Sequence, residues 1–303
     1  MDTCSPAYEN QSHSCFTKEA LIKIIRAYNQ NNVSPIQIGG RDSKKDMWDA
    51  VQSKLHEKCG NNETCWIEQP FLKKNPELSK FFKPLAPLGQ YQWLSTDDIY
   101  GVMRQYDEKH SDFKFMGALP MDFLKLKDPD STSLQNLDLD QAMKKYRNVG
   151  IVFNLDPSTK GGSHWVSMMI KPNIREFCYF DSYGDKKKYP NKYGFAYYDS
   201  NGNIHRENNI SMPTAIQDLI HRLTSKSVEN IKNGKKAPGG SFAKKPFKIK
   251  INTIQHQYAN SECGIYSMMF LIKSLNQSFE NITRQIVADE EANQFRNLYF
   301  RRR

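Results

Sequence analysis

The sequence predicts an α+β fold: a small twisted mixed sheet packed on a central helix, with an N-terminal helical module attached. Short apolar runs at Gly150–Leu155, His164–Ile170 and Glu176–Asp181 have the length and composition of buried strands. A helix from Cys263 to Leu275 is apolar on most sides (Ile265, Met268, Met269, Phe270, Leu271, Ile272), the pattern of a helix buried all round. The residues before Pro70 carry two short amphipathic helical patterns.

Thr17 is an N-cap for a helix with Ala20, Leu21, Ile24, Ile25 and Tyr28 on one face. Asn29 to Asn32 and Gly39-Gly40 interrupt that pattern. Ser43, with Asp46 three residues on, resembles a capping box that opens a second helix bearing Met47, Trp48, Val51 and Leu55. Two such helices bury little by themselves, so they are expected to pack on the rest of the chain or on a partner. Pro70 to Gly89 is proline-punctuated and basic and reads as a connection. The expected division is therefore 1–84, a helical module with its connection, and 85–303, the principal domain.

Ser95 or Thr96 caps a helix carrying Ile99, Val102, Met103 and Tyr106, with Asp97 and Asp98 favourably placed in its first turn. Lys171-Pro172-Asn173 suits a tight turn, so the strands bearing His164 and Asp181 are expected to be hairpin neighbours. Ala215 to Leu223 reads as a helix. Thr224 to Lys245, polar, lysine-rich and broken by Pro238-Gly239-Gly240, reads as a mobile loop. Phe247 to Ile254 alternates apolar and polar residues and reads as a half-buried strand.

The chain has 303 residues, 38% hydrophobic and 12% aromatic, enough for one substantial core and a smaller module. It contains no run of about 18 apolar residues, so no membrane span is expected. Its first residues lack a basic stretch followed by an apolar one, so no signal peptide is expected. Synthesis in a reducing compartment follows, with Cys4, Cys15, Cys59, Cys65, Cys178 and Cys263 expected as thiols or metal ligands rather than disulfides. The formal net charge of +10 fits a basic enzyme or one with a polyanionic partner, and is densest between Lys226 and Lys250 and at Arg301-Arg302-Arg303.

Cys263 stands at the start of the apolar helix, where the helix N-terminus and an adjacent imidazolium both favour a thiolate. His164 supplies that imidazole. Asp181, at the end of the neighbouring strand, can accept from one ring nitrogen and leave the other for the thiol. Gln257, six positions before Cys263, can donate its amide to a developing oxyanion alongside the Cys263 backbone N–H. Gly264 is expected to let substrate backbone approach the sulfur. Cys178, inside its strand, reads as a small buried hydrophobe.

These residues resemble the papain-like cysteine proteases of the ubiquitin-like-protein (SUMO) protease and adenovirus-protease superfamily. The match rests on His164-Trp165, Asp181 seventeen residues later, Gln257 and Cys263-Gly264. Leu85-Ala86-Pro87 and Trp93-Leu94-Ser95-Thr96-Asp97-Asp98 resemble that group's Leu-Ala-Pro and Trp-Leu-Asn-Asp signature, with Ser95 and Thr96 in place of its Asn. The resemblance runs from Leu85 to the C-terminus and is closest in style to the proteases of large DNA viruses. It implies a papain-like core, with 85–303 as the catalytic domain and His164, Asp181, Gln257 and Cys263 as catalytic residues. Cleavage after Gly-Gly or a similar sequence is also implied, with Trp93 and Trp165 flanking a tunnel too narrow for a Cβ. No cofactor and no metal are required, although similar viral proteases are stimulated by DNA. The expected location is the host cytoplasm or viral factory and the virion, with no secretion.

Two substrate readings stand, maturation of viral structural polyproteins and removal of SUMO or ubiquitin from host conjugates. A third, of another class, is a basic nucleic-acid-binding or scaffold protein with a vestigial site. Weak DNA binding would use the basic N-terminal residues (Lys18, Lys23, Arg26, Arg41, Lys44, Lys45) and the 224–250 region, against the alternative of solvated basic faces. A zinc site from His56, Cys59 and Cys65 with Cys4 or Cys15 is disfavoured, because the sequence has no Cys-x2-Cys pair.

Overall fold

The computed structural model describes residues 4–8, 13–184, 194–198, 204–206, 212–232 and 247–302. Backbone contacts divide the chain into two units, one of residues 1–86 with 297–303 and one of residues 87–296.

The smaller unit contains α1 (Lys18–Asn31), α2 (Lys44–Cys59) and α3 (Glu63–Ile67). Thr17 caps α1 by accepting from the Ala20 N–H, and the Ser43–Asp46 capping box opens α2. The unit holds an aromatic cluster of its own: Phe16 stacks on Trp66 at 6.1 Å and meets Phe82 edge-on at 5.1 Å. The Glu63 carboxylate accepts from the Cys15 N–H at 2.9 Å and the Trp48 indole at 2.6 Å, fixing the start of α3. The C-terminal residues close onto the segment that leaves the unit: the Arg301 N–H donates to Pro84 O and the Ala86 N–H to Arg301 O, both at 2.9 Å.

The cysteines correct one expectation. Cys4 pairs with Cys15 and Cys59 with Cys65 as disulfides, at Cα separations of 5.1 and 5.5 Å. Both separations lie in the range that a disulfide spans without backbone movement. Gly60 turns the chain back at the end of α2 with φ 54°, which sets Cys65 beside Cys59. The free cysteines are Cys178 and Cys263, both buried.

The larger unit is built on a seven-stranded mixed sheet. Its elements in chain order are α4 (Thr96–Lys109), β1 (Phe113–Pro120), α5 (Pro129–Gln135), α6 (Leu139–Lys145), β2 (Asn148–Asn154), β3 (Trp165–Lys171), β4 (Glu176–Phe180), β5 (Gly194–Tyr198), β6 (Ile204–Arg206), α7 (Thr214–Lys232), β7 (Phe247–Ile251), α8 (Cys263–Lys273), α9 (Phe279–Arg284) and α10 (Asp289–Tyr299). The strand order is β1-β2-β3-β4-β7-β5-β6. β1 and β2 are parallel, joined by a crossover containing α5 and α6, and β4 and β7 are also parallel. β2, β3 and β4 run antiparallel to their neighbours in turn, with Ser167 opposite Phe180 in the predicted hairpin. β1 escapes a simple alternation reading because its register shifts between Phe115 and Ala118 around Gly117.

Strand alternation sends odd and even residues of β2 to opposite faces. Val149, Ile151 and Phe153 join Val166, Met168 and Ile170 of β3 and Ile216, Leu219, Ile220 and Leu223 of α7 in one core cluster. On the other face α8 packs along β3, with Phe270 stacked on Phe180 at 4.9 Å. The helix headed by Cys263 is thus central, as its composition requires.

α7 corrects a second expectation. It does not stop at Leu223 but runs through Thr224 to Lys232. Thr224 is buried and donates its hydroxyl to Ile220 O at 2.8 Å, and buried Ser227 donates to the Asp140 carboxylate at 2.9 Å. Both polar residues that suggest a loop therefore find partners inside a helix. The rest of the expected loop, 233–246, lies outside the described residues. Among the described residues no helix is long and apolar enough to cross a membrane.

Candidate active site

His164 precedes β3 directly and Asp181 follows β4 directly, so the antiparallel hairpin delivers both residues to the same end of its strands. Asp181 Oδ1 and His164 Nε2 lie 2.7 Å apart. The same carboxylate oxygen accepts from the Tyr183 backbone N–H at 2.9 Å, while Asn252 donates to the Asp181 carbonyl at 2.8 Å. The Tyr183 ring stacks on the imidazole, centroids 4.5 Å apart and planes 21° from parallel.

Cys263 is the first residue of α8 and is 2% exposed. Burial pushes the His164 imidazole toward its neutral form. Hydrogen bonds to Asp181 and Cys263, together with their charges, outweigh that and carry its pKa up from 6.5 to about 9. Cys178 has the opposite environment: burial raises its thiol to about 12, so it is inert as a nucleophile.

Gln257 is fully buried. Its Nε2 donates to Ala259 O at 2.7 Å, and its Oε1 accepts from the Ser182 hydroxyl at 2.6 Å. A carbonyl can only accept, so the contact with Ala259 fixes which end of the amide is nitrogen. One Nε2 hydrogen is used there.

Trp93 and Trp165 line one cleft of about 500 Å³ with Leu94, Asn154, Gly162, Ser163 and His164. Trp165 is buried and its indole donates to Leu94 O at 2.9 Å, whereas Trp93 is 47% exposed. Ser95, which departs from the signature Asn, forms a capping box with Asp98 at the start of α4. Gly162, at φ 90°, lies where a Cβ would meet the Asn154 side chain at 2.6 Å. Asn154 Oδ1 in turn accepts the Ser163 and Asp156 N–H groups and shapes the loop before His164.

Gly264 packs against Leu94. Its missing Cβ faces Leu94, whose atoms would lie 3.0–3.2 Å away, and not the space above the sulfur. A side chain there would press on Leu94, so glycine favours close packing of α8 on the segment before α4.

Of the basic N-terminal residues, Lys18 donates to Asp42 O, Lys23 pairs with Glu77 and Lys44 donates to Ser14 O. Lys226 donates to Asn136 O at 3.4 Å, while Lys235, Lys236, Gly239-Gly240, Lys244 and Lys245 lie outside the described residues.

Sequence reasoning overlooks four residues around the site. Ser182 and Tyr183 are adjacent to Asp181 and could have been suspected from that position alone. Asp289 and Arg296, on α10, leave no such trace. Their partners are the backbone of Tyr258, Ala259 and Ser261 and the side chain of Glu262, some 30 residues earlier.

The geometry agrees with comparisons to known proteins. A family model described as the Ulp1 protease family, C-terminal catalytic domain, matches residues 139–301, more than half of the chain. The match contains His164, Asp181, Gln257 and Cys263 and begins after Trp93. The chain is 28% identical to a putative thiol protease of Acanthamoeba polyphaga mimivirus, over 99% of this chain and 94% of that protein. It is 23% identical to a SUMO-1 cysteine protease of African swine fever virus (isolate Pig/Kenya/KEN-50/1950), over 85% and 89% of the two chains. The crystal structure of the African swine fever virus protease superposes with a TM-score of 0.57 at 18% identity, covering 99% of this chain and 96% of that one, and shows the same fold. The chain belongs to the Ulp1 protease family and is a cysteine protease.

Proposed function

We propose that the protease acts as an endopeptidase through Cys263, His164, Asp181 and Gln257, and that it cleaves after Gly-Gly-like sequences in viral structural polyproteins. The observation that carries the site assignment is His164, 2.7 Å from the Asp181 carboxylate, with a pKa raised by both Asp181 and Cys263. The thiolate attacks the scissile carbonyl carbon, a C–S bond forms, and the carbonyl electron pair moves to oxygen. The Cys263 N–H and the second Gln257 hydrogen receive that oxyanion. Collapse breaks the C–N bond as the His164 imidazolium passes its proton to the leaving amine. His164, now neutral, takes a proton from water, whose oxygen attacks the thioester and releases the acid and the thiolate. Replacing Cys263 by Ala should abolish cleavage, and residual activity above about one part in a thousand would sink the assignment.

Support for glycine before the cut comes from Trp93 and Trp165 on one cleft beside His164. Flat rings on either side of a backbone leave no volume for a Cβ. A second reading, release of SUMO or ubiquitin from host proteins, is favoured by the name SUMO-1 cysteine protease that one relative carries. A Gly-Gly peptide panel run beside SUMO- and ubiquitin-linked substrates separates the two. Faster turnover of the linked modifier than of any peptide would replace the polyprotein reading. On the polyprotein reading the protein works in the cytoplasmic viral factory and in the virion and needs no cofactor. Stimulation by DNA would appear as a rise in peptide turnover on adding duplex at low salt.

A further inference from the structure

Gln257 and Cys263 supply the two donors of the oxyanion site, and the loop 258–262 between them sets their separation. Nothing within that loop is regular secondary structure. Its conformation is instead held from one stripe of α10. Asp289 Oδ2 accepts the N–H groups of Tyr258 and Ala259 at 2.9 and 2.8 Å. Its other oxygen accepts the Tyr266 hydroxyl at 3.2 Å, which joins it to α8. Two turns along, the Arg296 Nε donates to Glu262 Oε2 at 2.9 Å and its Nη2 donates to Ser261 O at 3.1 Å. Between them, Asn293 donates to Glu262 Oε1 at 3.1 Å. Positions 289, 293 and 296 are spaced i, i+4, i+7 and so lie on one helix face.

Each end of the stripe governs one donor. Asp289 pins Ala259, and the Ala259 carbonyl accepts the Gln257 Nε2 at 2.7 Å, so the carboxylate reaches the amide through a single residue. Arg296 holds Glu262, which directly precedes Cys263, and the carbonyl of Ser261 before it. Glu262 is 1% exposed and Arg296 8%. Removing one partner of such a pair leaves an uncompensated buried charge. A stripe that served only to attach α10 would have no need to bind both ends of this loop.

We infer that Asp289 and Arg296 are positioning residues for the reaction: together they set the spacing and direction of the Gln257 amide and the Cys263 N–H, and so build the oxyanion site from α10. This rests on the assignment of Cys263 and Gln257 above. Neither residue touches substrate, so their effect should fall on kcat and spare KM.

The test uses the full chain, a fluorogenic peptide ending in Gly-Gly, a Gly-Gly peptide aldehyde and iodoacetamide. The aldehyde adds the sulfur to a carbonyl carbon and places an oxygen in the oxyanion site, whereas alkylation by iodoacetamide forms no oxyanion. D289A should lower kcat at least tenfold with KM within twofold and weaken the aldehyde in proportion, while alkylation of Cys263 stays within twofold of the unsubstituted chain. D289N, which keeps an oxygen for the two N–H groups, should recover most of kcat. R296K, which cannot make the Nε and Nη2 bonds together, should fall between and serves as the measurement if D289A does not fold. A kcat within twofold of the unsubstituted chain for D289A, or for R296K in its place, overturns the inference. Alkylation slowed as much as cleavage also overturns it, since the stripe would then support the fold alone. An unsubstituted chain that neither cleaves the peptide nor is alkylated at Cys263 overturns the site assignment itself, and the inference with it.

Discussion

Asp181 meets His164 at one carboxylate oxygen and is itself fixed by the Tyr183 N–H, so the imidazole is oriented by a group that cannot swing away. The carboxylate and the Cys263 sulfur overcome burial and raise the His164 pKa to about 9. The imidazolium that the proposed mechanism uses to protonate the leaving amine is therefore present at neutral pH and is lost as pH rises through that value. Cleavage should accordingly fall on the alkaline side near pH 9. Asp181→Asn removes the carboxylate charge that helps raise this pKa, so the alkaline limb should move to lower pH. At about pH 7.5 kcat should drop on the order of 100-fold, as expected when the imidazole loses its orienting charge. An unmoved alkaline limb in the kcat profile would count against His164 as the proton donor. Ser182 acts one step further out, because its hydroxyl holds Gln257 Oε1 and thereby prevents the amide from turning over. Ser182→Ala should lower kcat about tenfold with little change in KM, less than loss of an oxyanion donor outright. Steady-state kinetics of the variant against Gln257→Ala would show both the effect and its rank.

At the scale of elements, α8 packs on Leu94 through a contact that glycine makes close. Leu94 is 3% exposed, and its carbonyl receives the Trp165 indole, so it has little room to retreat from a methyl group at position 264. Gly264→Ala should cost about 1–3 kcal/mol of stability, as overpacking of a filled core does. A melting temperature lowered by several degrees would bear this out, and an unchanged one would show that Leu94 yields freely. The elements legible in the sequence are those whose periodicity is uninterrupted: α1, α2, α4, the β3–β4 hairpin, β7 and α8. Those that escaped are explained by their partners. β1 is broken by the irregularity at Gly117. The second half of α7 presents Thr224 and Ser227 inward, where Ile220 O and the Asp140 carboxylate satisfy them. The disulfides depend on cysteines that the fold brings together, Cys65 beside Cys59 by the turn at Gly60 for one, and an expectation drawn from compartment alone could not see that proximity. The candidate catalytic set was legible because its chemistry needs particular residue types. The α10 stripe was not, since any acceptor and any donor at i, i+7 would look the same on paper.

At the scale of the whole molecule, His256 is a buried titratable group that the proposed chemistry does not use. His256 is fully buried and stands where several elements of the larger unit converge: Phe180 at the end of β4 lies edge-on to it, with the Tyr266 ring of α8 on another side. Its Nε2 donates to Thr283 O in α9 at 3.2 Å, and its Nδ1 accepts the Val287 N–H before α10 at 3.4 Å. Those roles require the neutral ring, because a protonated Nδ1 could not accept. Burial, reinforced by the charge of Lys273, lowers its pKa from 6.5 to about 4 despite the bond to Thr283. A folded-state pKa below the unfolded one contributes stability that is complete above the unfolded value and is lost as pH falls. Between pH 6.5 and about 4 the unfolded chain binds a proton that the folded chain refuses, at a cost on the order of 3 kcal/mol. The site lies beside Gln257, so acid should loosen the oxyanion loop together with the fold. Thermal melts from about pH 7.5 down to about pH 4 should show a steep loss of stability across that window. His256→Gln, less stable at neutral pH, should lose most of that slope. An equal slope in the variant would assign acid lability to the carboxylates instead.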